Sequence, residues 1–203
     1  MKKSLLLVVA CIALTSCGSM FKATSYNVSL SSVESPADSK VKFGETKIAT
    51  FEEEGQSKYR YEDDFLDIFW YVGGKQFYFT LKNKSDYSMK IPWDDIVYVD
   101  EDGATKRIMH SGVKYIDRNA SQPASVVPKN ASVSDILLPT DNVTYSSSLG
   151  WIEGHLFPRY QSQEEANNSP ILGKTVRIIF PVIIQDVQNE YTFEFSIDNV
   201  TVK

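Results

Sequence analysis

Hydrophobic and polar residues alternate with a period of two along much of the chain, which is the spacing of half-buried strands rather than helices. The alternation is clearest over residues 75–82, where Phe77, Phe79 and Leu81 share one face and polar or amphipathic residues occupy the other. An aromatic-rich run at residues 65–72 precedes it across Gly73-Gly74. Two β-prone runs around a glycine pair predict a β-hairpin.

The last part of the chain predicts two more strands. Residues 175–184 are nearly all apolar and β-branched, and Pro181 within them must lie at a bulge or a sheet edge. Residues 191–202 alternate with period two, with a register slip predicted at Asp198-Asn199. Gln188-Asn189 are predicted to form the turn between these strands.

Many short strands with turns about every 8–12 residues predict an all-β fold, an antiparallel β-sandwich in one domain over residues 41–203. The architecture resembles the immunoglobulin-like domains of bacterial envelope lipoproteins, although the Cys…Trp…Cys core of true immunoglobulin domains is absent. A small closed barrel is the alternative. Only residues 161–167 predict a short helix, and one long loop is expected near the C-terminal third, over residues 139–173.

The N-terminus has the order of a bacterial export signal. Lys2 and Lys3 precede the apolar run at residues 5–14, which is too short to cross a bilayer as a helix. Residues 14–17 read Leu-Thr-Ser-Cys and resemble the lipobox of bacterial lipoproteins. The resemblance implies that residues 1–16 are a signal peptide, that the chain is cut before Cys17, and that Cys17 receives the lipid.

Lipidation of Cys17 would leave the exported chain without a thiol, because Cys11 leaves with the signal peptide. Gly18 stands where enterobacterial lipoproteins kept in the inner membrane carry Asp, which favours the outer membrane. Residues 17–40 are rich in serine and predict a polar tether. Alternation at Tyr26, Val28 and Leu30 leaves open a first strand in the same stretch.

Composition excludes several function classes. The chain has 21 Lys and Arg against 26 Asp and Glu, so it has no basic excess for binding nucleic acid. Two Cys and two His cannot build a disulfide scaffold or a histidine-rich metal site. No cofactor or metal is expected.

Residues 139–173 form the most unusual stretch, because aromatic side chains are concentrated where little regular structure is predicted. These side chains either bind a partner or a sugar ring, or fold back to seal the core. The candidate binding residues are Tyr145, Trp151, His155, Phe157, Arg159 and Tyr160.

Other chemistry-bearing residues fit structural roles better. Adjacent His110 and Ser111 would point to opposite faces of a strand and could not act as a base–nucleophile pair. Asp100, Asp102 and Gly103 resemble only a fragment of a calcium loop, and we interpret them as a hairpin turn. No catalytic residue is predicted.

The sequence therefore predicts a lipid-anchored, non-catalytic envelope protein that acts as an interaction or structural module, with an envelope protein as its partner. One alternative is a lipoprotein that binds a glycan or small ligand through residues 139–173. The other is a hydrolase of envelope polysaccharide that uses paired carboxylates.

Overall fold

The computed structural model describes residues 22–34, 47–53 and 56–203. Within these ranges every strand pairing is antiparallel, and the all-β prediction is confirmed. In this part of the chain, no helix has the length and apolar character needed to cross a membrane. The predicted signal peptide and Cys17 lie outside the described residues.

The described strands, in chain order, are β1 (Thr24–Glu34), β2 (Lys47–Glu53), β3 (Gln56–Glu62), β4 (Leu66–Val72), β5 (Phe77–Asn83), β6 (Met89–Ile91), β7 (Val97–Val99), β8 (Thr105–Met109), β9 (Ser125–Val127), β10 (Ser132–Pro139), β11 (Val143–Ser146), β12 (Gly150–Glu153), β13 (Thr175–Ile184) and β14 (Val187–Val202). One α-helix, α1 (Gln163–Asn167), and 3-10 turns at Trp93–Asp95, Tyr115–Asp117 and Thr140–Asn142 complete the secondary structure of these ranges.

Two antiparallel layers face each other and join at β10. The strand order is β1-β14-β13-β7-β8-β10-β5-β4-β3-β2, with β6 paired to β13 and β9 paired to β6. Strand β10 pairs with β5 over six residues, and its last two residues, Leu138 and Pro139, pair with β8. The sheet thus passes from one layer to the other through β10, and the result is a nearly closed sandwich.

Aromatic side chains fill the space between the layers. Trp70 of β4 is buried, with ring centroids 5.9 Å from Phe180 of β13 and 5.0 Å and 5.8 Å from Phe193 and Phe195 of β14. Phe79 of β5 lies 5.5 Å from Trp70. Burial of such large apolar surfaces is the main force holding the two layers together.

Asp63 links the layers through a buried polar network. Its carboxylate accepts hydrogen bonds from the backbone N–H groups of Phe65 and Leu66, both at 2.8 Å. The hydroxyls of Tyr61 and Tyr191 also donate to it, at 3.2 Å and 2.9 Å. Burial raises the pKa of the Asp63 carboxyl, although these four donors oppose the shift.

The predicted hairpin around Gly73-Gly74 is confirmed as β4 and β5. Phe77, Phe79 and Leu81 are all buried, as the alternation predicted. The register slip is also confirmed, because the pairing of β1 with β14 shifts opposite Asp198.

Pro181 lies at a local sheet edge, as expected. On the side of β13 away from β14, pairing with β7 ends at Ile179 and pairing with β6 begins at Ile183. The proline therefore falls in a gap between two neighbouring strands, where no partner needs its missing N–H.

The predicted turn at Gln188-Asn189 is wrong. The turn lies at Gln185 and Asp186, which have φ of 51° and 60°, and residues 188 and 189 belong to β14. Two consecutive residues with left-handed φ give a tight hairpin turn. The sequence places the turn too late because Asn189 is of a polar type common in turns, although its side chain is buried within β14.

The tether prediction does not hold for residues 24–34. These residues form β1, which pairs with β14 from Thr24 opposite Val202 to Glu34 opposite Thr192. The strand that the alternation at Tyr26, Val28 and Leu30 left open is therefore present.

Residues 139–173 are not one unstructured loop. They contain the hairpin β11–β12, which forms a separate two-stranded sheet, and the helix α1. Ser162 caps this helix by accepting a hydrogen bond from the Glu165 N–H.

Candidate functional site

The hairpin β11–β12 projects aromatic side chains from the end of β10. The turn Thr140–Asn142 redirects the chain after Pro139, and Gly150, with φ of +74°, begins the return strand. Tyr145 and Trp151 face each other across the two strands, with ring centroids 5.3 Å apart. Neither strand pairs with the large sheet, so one side of the hairpin faces solvent.

Apolar side chains concentrate on this hairpin and the neighbouring turn. Tyr145 is 66% exposed, Leu149 75%, Trp151 38% and Ile116 73%. The Arg118 guanidinium lies 5.2 Å from the centroid of the Trp151 ring. We call these residues, Ile116, Arg118, Tyr145, Leu149 and Trp151, the hairpin patch.

A groove of about 610 Å³ lies beside the hairpin patch, between Trp151 and the segment 109–116. At its wall the Tyr115 hydroxyl donates to the Glu153 carboxylate, and Lys75 Nζ lies 3.5 Å from the same carboxylate. The hydrogen bond to Glu153, with a contribution from burial, raises the pKa of Tyr115. These contacts fix the angle at which the hairpin leaves the sandwich.

The other predicted site residues lie elsewhere, against the start of β1. Phe157 is 4% exposed, and its ring lies 5.0 Å from that of Tyr26. The Tyr26 hydroxyl donates to the Pro158 carbonyl at 2.7 Å. Arg159 donates to the Lys22 carbonyl at 3.2 Å. The segment around Phe157 therefore packs against β1 and forms hydrogen bonds at the start of this strand.

Tyr160 completes this contact. Its backbone N–H donates to Thr24 Oγ1 at 3.3 Å, and its hydroxyl donates to Ser169 Oγ at 2.5 Å. Five of the six predicted residues thus fall into two groups: Tyr145 and Trp151 face outward, whereas Phe157, Arg159 and Tyr160 pack or bond against the body.

His155 stands between the two groups. It is exposed, and the N–H of the next residue, Leu156, donates to the Gly74 carbonyl at 2.9 Å, which docks this segment onto the β4–β5 turn. Partial burial, and then the nearby charges of Arg159 and Lys75, lower the pKa of His155.

His110 and Ser111 do not form a catalytic pair. The His110 ring stacks on Trp93 at a centroid distance of 4.1 Å, and its Nδ1 lies 3.4 Å from Asp135 Oδ2. The Ser111 backbone N–H donates to Asp135 Oδ1 at 2.8 Å. Asp135 thus organises the turn after β8, and no hydrogen bond joins His110 to Ser111.

The carboxylates of the predicted turn at residues 100–103 are bound by lysines. Lys106 Nζ lies 3.0 Å from Asp100 Oδ2, and Lys174 Nζ lies 2.7 Å from Asp102 Oδ1. Asp100 also accepts the Ala104 N–H, which closes the turn. In the described ranges, no group of three or more His, Cys, Asp or Glu side chains could hold a metal ion.

A second groove lies on the outer face of β4, β5 and β10, and sequence reasoning missed it. It has a volume of about 440 Å³, and we call it the sheet-face groove. Ser111 and Ile136 line both grooves, so the two are neighbours. The main side chains of its wall are Lys58, Phe69, Tyr71, Tyr78, Thr80, Ser134 and Asp135.

Two tyrosines in the sequence indicate the position of the sheet-face groove. Tyr71 and Tyr78 flank Gly73-Gly74 and occupy the face of the hairpin that alternation assigns to solvent. Two aromatic residues on a predicted polar face are unusual enough to mark a surface for inspection.

Comparison with known proteins adds little. No family model and no curated protein matches the chain. One similar solved structure, described as the X-ray structure of Northeast Structural Genomics Consortium target SoR45, has 10% sequence identity. The match covers 84% of this chain and 89% of that one with a TM-score of 0.27, a value that supports no functional argument.

Proposed function

We propose that this chain is a lipid-anchored protein of the bacterial envelope, and that its β-sandwich is a non-catalytic module that binds a protein partner through the hairpin patch. The observation that carries the proposal is the exposure of Tyr145, Leu149 and Ile116 at one projecting hairpin and its neighbouring turn. Contiguous exposed apolar side chains on a soluble domain mark interaction surfaces.

The composition of the hairpin patch supports a protein partner. Trp151, Tyr145 and Arg118 are the residue types that dominate binding energy at protein interfaces, and Trp151 contacts both of the others. Lys75 and Glu153 beside them supply a charged rim. A rigid two-stranded hairpin also presents these side chains at little entropic cost on binding.

The lipid anchor rests on the resemblance of residues 14–17 to a lipobox. An acylated Cys17 would hold the sandwich at a membrane surface, in our proposal that of the outer membrane, and additional acyl chains would make the attachment stable. The immunoglobulin-like character of the sandwich is also part of the proposal, and its two antiparallel layers support it.

Site-specific photo-crosslinking in intact cells tests the partner. A photoreactive amino acid replaces Leu149 or Tyr145 in the full chain, and the captured protein is identified and purified. We expect the same protein at both positions, and its binding to the purified full chain should weaken at least tenfold in Trp151→Ala.

Tyr87 provides the matched control position. It is 51% exposed, and its carbonyl accepts a hydrogen bond from Asn83 at the far end of β5 from the hairpin. Capture of the same protein at residue 87, or no specific capture at residues 145 and 149, contradicts the proposed partner surface.

The two cysteines allow a matched test of the anchor. Cys17→Ser should abolish incorporation of labelled palmitate and release the protein from membranes, whereas Cys11→Ser should leave both unchanged. Intact-mass measurement of the native protein checks the result. A chain that still begins at Met1, or one without fatty acid, contradicts the anchor.

A further inference from the structure

The outer face of the β4–β5 hairpin presents an aromatic platform. Alternation along the strands puts Trp70 and Phe79 in the core and turns Tyr71 and Tyr78 outward. These tyrosines form a cross-strand pair with ring centroids 5.4 Å apart and planes inclined by 31°. Tyr78 remains 41% exposed. The two tilted rings therefore pack partly against each other, Tyr71 is half-buried, and both rings line the sheet-face groove.

Gly73 holds one ring of this platform in place. A Cβ atom at residue 73 would lie 2.8 Å from Tyr78 Cε2 and 3.1 Å from the Gln76 carbonyl oxygen. The 2.8 Å separation is shorter than real Cβ atoms show, so a larger residue at position 73 would displace the Tyr78 ring. Glycine at this position therefore leaves room for the ring to lie against the turn.

Polar groups line the rest of the sheet-face groove. Thr80 Oγ1 and Ser134 Oγ lie 2.8 Å apart on neighbouring strands and hydrogen-bond to each other. The Lys58 side chain and the Asp135 carboxylate add one charge of each sign. The groove therefore combines stacking surfaces with donors and acceptors, the mixture found in small-ligand sites.

We propose that the sheet-face groove binds an oligosaccharide, with sugar rings stacked on Tyr71 and Tyr78 and sugar hydroxyls bonded to Thr80 and Ser134. A pyranose ring has an apolar C–H face and a hydroxyl edge, which match the aromatic rings and the polar lining. Serine hydroxyls and charged groups of the kind that line this groove are depleted at the cores of protein interfaces, which favours a sugar over a protein partner. This site is separate from the hairpin patch and goes beyond the proposed protein-binding function.

The test is calorimetric titration of the full chain, purified in detergent, with three probes: maltotetraose, mannotetraose and chitotetraose at millimolar concentration. We expect saturable binding of at least one. Tyr71→Ala and Tyr78→Ala should each weaken that binding about five- to tenfold, because each removes one stacking surface.

Two controls separate this site from the hairpin patch. Trp151→Ala should leave sugar binding unchanged, and so should Tyr87→Ala, which removes an exposed tyrosine elsewhere. Circular dichroism checks that every variant is folded. Loss of binding in Trp151→Ala with none in the Tyr71 and Tyr78 variants overturns the assignment, as does the absence of binding to all three probes.

Gly73→Ala tests the role of ring orientation. The added methyl group must displace the Tyr78 ring, so we expect weaker sugar binding while Tyr71 and Tyr78 are both still present. The fluorescence of the protein should respond less to the sugar in the same variant. Unchanged affinity in folded Gly73→Ala would contradict a preformed platform.

Discussion

Aromatic residues in residues 139–173 have two opposite environments. Tyr145 and Trp151 project from a hairpin into solvent, whereas Phe157 is buried and Tyr160 is bonded to the body of the sandwich. Only a few residues separate the two groups in sequence. The difference shows that aromatic content does not identify a binding surface by itself; what the side chains pack against decides it.

The buried group should account for most of the stability of this region. Phe157→Ala removes a ring that packs on Tyr26, and we expect the free energy of unfolding to fall by about 3–5 kcal/mol. Urea unfolding followed by circular dichroism measures it. The control Leu149→Ala, at a 75% exposed position, should change stability by less than about 0.5 kcal/mol. Equal losses of unfolding free energy in Phe157→Ala and Leu149→Ala would contradict the division into a buried and an exposed group.

A smaller effect is expected from the hydroxyl of Tyr160. Tyr160→Phe keeps the ring but removes the hydrogen bond to Ser169, which should cost about 1 kcal/mol. The matched change Tyr145→Phe, on the exposed hairpin, should cost almost nothing. If the Tyr145 variant loses as much stability, the hairpin is a more integral part of the fold than its exposure indicates.

Within the hairpin patch, the contact between Arg118 and Trp151 should contribute only modestly to stability. A double-mutant cycle of Arg118→Ala and Trp151→Ala should give a coupling energy of about 0.5–1 kcal/mol, typical of an exposed cation–π contact. The same Trp151 change should strongly reduce partner capture. If Trp151→Ala lowers the stability of the fold but still binds the partner, Trp151 has a structural role and not a binding role.

The smallest expected effect is a pH dependence at His155. Its pKa is lowered below the ordinary 6.5, so the unfolded chain binds more protons than the folded chain just below that pH. Stability should therefore be fully present above pH 6.5 and decrease as the pH falls through the folded pKa. Thermal unfolding of wild type and His155→Gln over this interval checks it; the variant should show a shallower slope, and parallel slopes would contradict the assignment.

Periodicity predicted the strands well where one face is buried. The β4–β5 hairpin follows directly from alternation, because a shift of one residue would expose Phe77, Phe79 and Leu81. Residue type misplaces the turn before β14, because Asn189 is polar yet buried inside that strand. The sequence alone does not distinguish such a residue from one that forms a turn.

The candidate sites were harder to predict, because they depend on pairs of elements distant in sequence. Residue type alone predicts Tyr145 and Trp151, but the contact of Trp151 with Arg118 requires the turn at residues 115–117 to lie beside the hairpin. Phe157 was placed in the same candidate site because nothing local shows that β1 covers it. The sheet-face groove draws its wall from β3, β4, β5 and β10, and the sequence alone marks only its Tyr71–Tyr78 pair.

Strand β1 is synthesised first among the described strands, and its partner β14 last. Thr24 cannot pair with Val202 until β14 has been synthesised. Pairings between such distant residues raise the contact order of the fold, which slows folding. Under the proposed lipidation of Cys17, the described strand that waits longest for its partner would also be the one closest in sequence to the membrane anchor.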